Sequence, residues 1–290
     1  MTVSTIRQIK QHIQQLTNGD TDNQLPSFWF TDWLLYVIDK PAIALMTDED
    51  YQLSDTELEQ FDTGVAKMKQ GTPLAYLTGH QEFWSLNFTV NEHTLIPRPD
   101  TEVLVEQVLE WIKNQPTSVN TKRLLDLGTG SGCIAISLAH ELKQANWQVV
   151  AVDLSQEALK VAKHNAVING VAHIEFIQSS WYQALSIYDE PKFNIIVSNP
   201  PYIDEADEHL AHLTAEPISA LSAPNQGLAD IEHIVQQATK YLRTGGLLAI
   251  EHGYDQGDAV QQLFLNSNFE SVHTVKDYGD NDRVTLGQVQ

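Results

Sequence analysis

From residue 123 to residue 290, short apolar runs alternate with amphipathic segments, and this alternation constrains the fold more than any other feature of the chain. RLLDLG, WQVVAVD, IEFIQ, FNIIVSN and GGLLAIEHG have the length and composition of buried strands. CIAISLAHEL, QEALKVAKHNAVING and IEHIVQQATKYL repeat their apolar residues at helical spacing. Apolar strands alternating with such helices imply an α/β fold, a doubly wound and mostly parallel sheet with helices on both faces. The closing VHTVKDYGDNDRVTLGQV predicts two more strands that finish one edge as a hairpin, so the sheet is expected to be mixed.

Upstream the texture is different. Helices are expected near Ile6 to Leu16, from Ser27 or Thr31 through Ile38, and after Ser54, where Ser54 and Glu57 form a capping box and Gly71 before Pro73 signals the stop. The stretch FWSLNFTVNEHTLI, Phe83 to Ile96, alternates and is rich in aromatic and β-branched residues, which predicts a hairpin turning near Asn91. The expected organisation is therefore an all-helical domain over 1–80, a β-hairpin linker over 81–99 and an α/β domain over 100–290. In the last, PRPDTE leads into the helix EVLVEQVLEWIK.

Composition excludes several classes. With 42% apolar and 19% charged residues and no uninterrupted apolar run of membrane length, the chain reads as soluble. Its first residues repeat at helical spacing without an apolar signal core. Cys133 is the single cysteine, so no internal disulfide is possible and a cytoplasmic location is expected. The formal net charge of -21, with no run of Lys or Arg, opposes direct nucleic-acid binding and suits either a basic protein partner or simply a soluble, salt-adapted acidic surface. The eleven histidines are scattered without ligand spacing, and no metal site is expected.

The strand RLLDLG runs into DLGTGSG, Asp126 to Gly132, immediately before a helix. Glycines there allow a sharp turn and close approach of the backbone to a ligand. Gly128 and Gly130 fit a dinucleotide fingerprint, but the third glycine comes one residue early, at Gly132. A cofactor without phosphate needs only close backbone approach, and the GxGxG form after Asp126 is the pattern of S-adenosylmethionine enzymes. Asp153, at the end of VVAVD, is placed to take two ribose hydroxyls in either class, or to serve as a helix N-terminal charge. Trp181, after the third strand, is a candidate for packing on an adenine ring or for the core.

The fourth strand ends in VSNPPYI. Together, DLGTGSG, VVAVD and NPPY resemble class I methyltransferases acting on planar nitrogens. Such a nitrogen has its lone pair delocalised and is a poor nucleophile, so a site for it should bind its N–H groups. The side-chain oxygen of Asn199 and the carbonyl of Pro200 are two acceptors that strengthen as positive charge develops on nitrogen. Pro200 and Pro201 stiffen the loop, and Tyr202 offers a face for a flat amide.

The resemblance extends further. PLAYLTGHQEFWSLNFTVNEHTLIPRPDTEVLVEQVL, NPPYI, AEPISAL, GGLLAIEHG and DYGDNDRVTLG are similar to the PrmC/HemK family, which methylates the glutamine of the GGQ motif in bacterial class 1 peptide chain release factors. The resemblance implies that the helical domain helps hold the factor and that the α/β domain binds S-adenosylmethionine. It also implies that Gly128, Thr129, Gly130, Ser131, Gly132, Asp153, Trp181 and Asn199 contact the cofactor. Asn199, Pro200, Pro201 and Tyr202 would contact the glutamine. In the N-terminal part SFWFTDWLLYVID departs from the family's plainer leucine-rich helix. Arg98 and Glu102 are expected to pair, and Glu251 either supports the site or is structural. Asp204, Glu205, Asp207 and Glu208 form an acidic face expected to draw in a basic factor. A nucleic-acid amine methyltransferase, a ribosomal-protein glutamine methyltransferase and a dinucleotide-binding module remain the alternatives.

Overall fold

The computed structural model describes residues 5–17, 25–116, 121–185, 192–208, 210, 213 and 215–290. The chain divides into two compact units, Met1–Gly79 and His80–Gln290.

The first unit is built from α1 (Ile6–Thr17), α2 (Ser27–Val37), α3 (Ala44–Thr47), α4 (Asp55–Lys69) and α5 (Leu74–Thr78). Ile6, Ile9 and Ile13 recur three to four residues apart on α1, so they share one face and are all buried. They meet Phe30, Trp33, Leu34 and Val37 of α2 and Phe61, Val65 and Met68 of α4 in a single core. Ser54 caps α4 by accepting the Glu57 amide, while Glu57 accepts the Ser54 amide in return. The Trp33 indole donates to the Phe61 carbonyl at 3.1 Å and lies directly on Gly64, where a Cβ would stand 2.2 Å from the ring. A helix-weakening glycine is thus kept in α4 because the tryptophan occupies the space of a side chain.

The second unit opens with a hairpin, β1 (His80–Phe83) and β2 (Leu86–Thr89). Its turn is Trp84–Ser85, not the expected position near Asn91: both residues have positive φ, 53° and 55°, the conformation that matches the strand twist in a two-residue turn. Asn91 instead makes a local turn in which its side-chain oxygen accepts the His93 amide. Phe83 and Phe88 pack edge to face in the core of this unit. Asn165 fastens the hairpin, accepting the Thr89 amide at 2.8 Å and donating to the Thr89 carbonyl at 2.9 Å.

A short 3-10 turn, Pro99–Thr101, leads into α6 (Glu102–Lys113). There follow β3 (Lys122–Leu127), α7 (Cys133–Glu141), β4 (Trp147–Asp153), α8 (Gln156–Ile168), β5 (Glu175–Gln178) and β6 (Phe193–Ser198). Two-residue strands β7 (Ile203–Asp204) and β8 (Ser222–Ala223) pair with each other, before α9 (Ala229–Tyr241) and β9 (Leu242–Glu251). The unit ends with α10 (Gly257–Asn266), β10 (Phe269–Lys276) and β11 (Asp282–Val289). The main sheet has seven strands in the order β10-β11-β9-β6-β3-β4-β5. It is parallel from β9 to β5, and β11 and β10 add an antiparallel edge.

Strand alternation separates two cores. Leu124, Val149, Ile195 and Leu247 face a layer that includes Leu104 and Val108 of α6 and Ile134 and Leu138 of α7. Leu125, Val150, Ile196 and Leu248 face Ile231 and Ile234 of α9 and Val260 and Phe264 of α10. Chain order reverses at β3, whose neighbours β4 and β6 lie on opposite sides. A crevice therefore opens beyond the carboxyl ends of these three strands, where a doubly wound sheet binds its ligand. Among the described residues, no helix is long and apolar enough to cross a membrane.

Candidate active site

The loop after β3 is closed by its own hydrogen bonds. The amides of Gly128 and Thr129 donate to the Val152 carbonyl at 2.9 Å, and that of Gly132 donates to the Thr129 carbonyl at 2.8 Å. The Gly130 amide donates to Asp153 Oδ2 at 2.8 Å, and Asp153 Oδ1 accepts the Ser155 amide at 2.8 Å. Gly128, Gly130 and Gly132 all have positive φ. At Gly132 a Cβ would also stand 2.7 Å from Ile136 and 3.2 Å from the Ala162 methyl, so this glycine lets α7 and α8 approach the loop. The Ser131 carbonyl accepts from Asn165, the residue that also holds the hairpin.

Asp126 is buried beneath the loop and takes the Thr129 hydroxyl on Oδ2 at 2.6 Å. Burial pushes its carboxyl up to about 7; the Thr129 hydroxyl and Ala135 amide oppose that rise and the Asp153 charge adds to it. Burial likewise raises Asp153, against the pull of the Gly130, Ser155 and Leu154 amides. These two acids, with the loop amides already engaged, leave little to hold a pyrophosphate. Asp153 does not cap α8, because Ser155 does so by accepting the Ala158 amide at 3.1 Å. With three amides on its carboxylate, Asp153 keeps acceptor capacity beside the cavity that the residue lines.

That cavity measures about 470 Å³ and is lined by the glycine loop, Asp153, Leu154, Trp181, Asn199 and Asp230, among others. Trp181 lies against Gly128, where a Cβ would be 3.3 Å from the ring, and its indole donates to Asp230 Oδ1 at 3.2 Å. Asp230 begins α9 and carried no functional signal in the sequence. Cys133 also lines the cavity, and burial pushes its thiol up to about 12.

Beyond β6 the NPPY loop also borders a smaller cavity of about 100 Å³, lined by Leu95, Arg98, Pro200, Tyr202, Leu213 and Glu251 among others. Asn199 lines both, while Pro201 lines the larger. The Ser198 hydroxyl donates to the Leu127 carbonyl at 2.8 Å and locks the ends of β6 and β3 together. Asn199 Nδ2 donates to Thr101 Oγ1 at 3.2 Å, which leaves its Oδ1 to accept. The Tyr202 hydroxyl donates to Glu251 Oε1 at 3.2 Å. Burial, with the Glu251 charge, holds that phenol well above its ordinary value, so it stays neutral.

Gln256, at the start of α10, grips the main chain of the loop. Its Nε2 donates to the Tyr202 carbonyl at 2.9 Å and the Gln226 carbonyl at 3.0 Å, while its Oε1 accepts the Gly253 amide at 2.8 Å. Burial raises the Glu251 carboxyl to about 7; the Thr101 hydroxyl, Arg283 and Tyr202 favour its ionised form, and Asp100 opposes it. Arg283 makes two bonds to Asp277 Oδ2, at 2.9 and 3.1 Å, and donates to the His252 carbonyl at 3.3 Å.

Arg98 does not pair with Glu102. Glu102 starts α6 beside the hairpin and accepts the Trp84 amide at 2.7 Å. Arg98 pairs instead with buried Glu216 of AEPISAL, whose second oxygen accepts the Ile96 amide at 3.0 Å. This pair ties the segment before α6 to the segment after the NPPY loop. Glu205 and Glu208 of the acidic run are exposed, whereas Asp204 and Asp207 are half-buried.

A class I sheet, a self-closed glycine loop over a buried acid and an asparagine bordering two cavities define a methyltransferase, and residues 118–284 match the family model described as a methyltransferase domain. Residues 31–79 match the PrmC N-terminal domain. The chain is 42% identical to the release factor glutamine methyltransferase of Aliivibrio fischeri, over 99% of this chain and 98% of that protein. It is 46% identical to the same-named protein of Escherichia coli K12, over 82% and 83%. It therefore belongs to the release factor glutamine methyltransferase family. Among solved structures, the N-terminal domain of human METTL16 in complex with SAH shares the fold, with a TM-score of 0.50 and 20% identity over 71% of this chain and 76% of that one.

Proposed function

We propose that this chain transfers a methyl group from S-adenosylmethionine to the side-chain amide nitrogen of the GGQ glutamine in class 1 peptide chain release factors, in the cytoplasm. The observation that carries this reading is the position of Asn199, the residue of the strand-end motif that lines both cavities. The larger cavity fits the cofactor: Asp153 offers a carboxylate to the ribose hydroxyls, Trp181 and Leu154 offer apolar surface, and the loop requires no phosphate. When bound there, S-adenosylmethionine supplies an electrophilic methyl group on a sulfonium.

The chain's own residues then act on the amide. Asn199 Oδ1 and the Pro200 carbonyl accept its two N–H groups and hold the nitrogen toward the larger cavity. Both contacts strengthen as the nitrogen gains positive charge, so they stabilise the transition state more than the ground state. Tyr202 gives the flat amide a face, and Glu251 holds its hydroxyl still. Pro201 stiffens the loop and walls the cofactor side. The proton leaves to water after transfer, and no strong base is required. The helical unit over 1–80 docks the factor.

The test is label transfer from radiolabelled cofactor to a purified release factor and to the same factor with GGQ glutamine changed to alanine. Label on the first alone is expected. Label on both, or on neither, overturns the substrate assignment. A second expectation concerns Asp204, Glu205, Asp207 and Glu208, which attract a basic factor. Neutralising all four with Asn and Gln lowers kcat/KM by about tenfold at low ionic strength while kcat is unchanged. A rate that is flat with salt, and unaltered by the substitutions, sinks that role.

A further inference from the structure

Thr101 stands at the N-cap position of α6, where a threonine ordinarily accepts a helix amide, yet its side chain makes no capping bond. The residue is buried, at 2% exposure, and its hydroxyl is spent elsewhere, on Asn199 Nδ2 at 3.2 Å. On its other side lies Glu251, a buried carboxyl that also receives the Tyr202 hydroxyl. Glu251 Oε2 has no hydrogen-bond partner among the described residues. The Thr101 hydroxyl favours the ionised form of that carboxyl, to which it can only donate, and the hydroxyl's lone pairs are left for a donor. The donor supplied here is the Asn199 NH₂. A carboxamide has nearly the same shape when rotated by 180°, and the flipped form would present NH₂ to the NH₂ of the substrate. The hydroxyl therefore chooses between two forms that packing alone does not distinguish.

We infer that Thr101, backed by Glu251, is the positioning residue that sets the amide of Asn199 with its oxygen toward the acceptor glutamine, and so makes the NPPY loop competent for an N–H substrate. This rests on the glutamine methylation proposed above. Its role is directional: Thr101 borders the larger cavity, but its hydroxyl acts on the amide substrate through Asn199.

The experiment compares wild type with Thr101→Val, Thr101→Ala and Thr101→Ser in methyl transfer to the release factor and in cofactor binding by calorimetry. Val keeps the shape and removes the hydroxyl, Ala removes both, and Ser restores the hydroxyl. Loss of a hydrogen bond that orders one of two amide orientations is expected to lower kcat about tenfold in Val and Ala. Cofactor Kd stays within about twofold, since the rest of that cavity's lining, the glycine loop, Asp153 and Trp181 included, is untouched by the substitutions. Ser recovers most of the rate. Wild-type rate in both Val and Ala overturns the inference, as does a Ser variant no faster than Val. Parallel loss of rate and cofactor affinity overturns it too, because that is the signature of a damaged pocket. If one variant fails to fold, the other removes the same hydroxyl and decides the outcome. Failure of wild type to label the factor would instead remove the glutamine reading itself, and with it this inference.

Discussion

Asn199→Ala is expected to lower kcat by about 10² to 10³, the usual cost of deleting one preorganised hydrogen-bonding group that works in the transition state. The rest of the larger cavity's lining, including the glycine loop, Asp153 and Trp181, is left in place by the substitution, so the Kd for cofactor is expected to change by no more than about threefold. Single-turnover methyl transfer and direct cofactor binding measure the two quantities separately. Equal losses in both would assign Asn199 to the cofactor pocket and remove the amide-binding role. The size of the effect follows from the isolation of the group. Two prolines follow Asn199, and the only hydrogen bond of its side chain among the described residues goes to Thr101, so no neighbouring amide is poised to replace its oxygen.

The parts of the fold that were legible in the sequence are those written in local pattern. Strand and helix periods located β3, β4, β5, β6 and β9 and the helices between them, but not the two-residue β7 and β8, because each longer element carries its own burial, as Leu124 and Leu125 show by facing opposite cores one residue apart. DLGTGSG and NPPY were legible because strand ends in this topology converge on one crevice. The hairpin turn was not, since neither Trp84 nor Ser85 is one of the Asn, Asp or Gly residues that signal positive φ in a two-residue turn, yet both adopt it. Helix α10 escaped as well, and with it Gln256. The partners of the site were hidden for a stronger reason. Arg98 and Glu216 are 118 residues apart, Asn199 and Thr101 98, and Tyr202 and Gln256 54. A side chain whose work is to hold another one leaves no period and no motif, and Glu102 was the plausible wrong partner for Arg98 because it was near in sequence.

The second large effect is expected from a residue that touches no substrate. Gly227 has a φ of +76°, and a Cβ there would lie 1.9 Å from the Tyr202 carbonyl oxygen and 2.5 Å from its carbon. Those are backbone atoms, so no rotamer change relieves the overlap. The same carbonyl accepts from Gln256 at 2.9 Å, whose Nε2 would itself stand 2.9 Å from the new methyl. Gly227→Ala must therefore displace the NPPY loop by more than about 1 Å, a misplacement that costs about 100-fold in rate where geometry is set this tightly. Strain and overpacking together should also remove about 1 to 3 kcal/mol of stability. Gly245→Ala is the control, because Gly245 has a nearly equal φ of +73° and nothing within 4 Å of its would-be Cβ. It pays the left-handed strain of about 1 kcal/mol and nothing more, and keeps its activity. Thermal unfolding and methyl-transfer rates on the two variants separate the contributions. If Gly227→Ala unfolds and turns over like Gly245→Ala, the loop has room that the geometry denies. If it is as stable as the control but far slower, the loop has moved without unfolding, and the position of the Tyr202 carbonyl governs how Asn199 and Pro200 meet the amide.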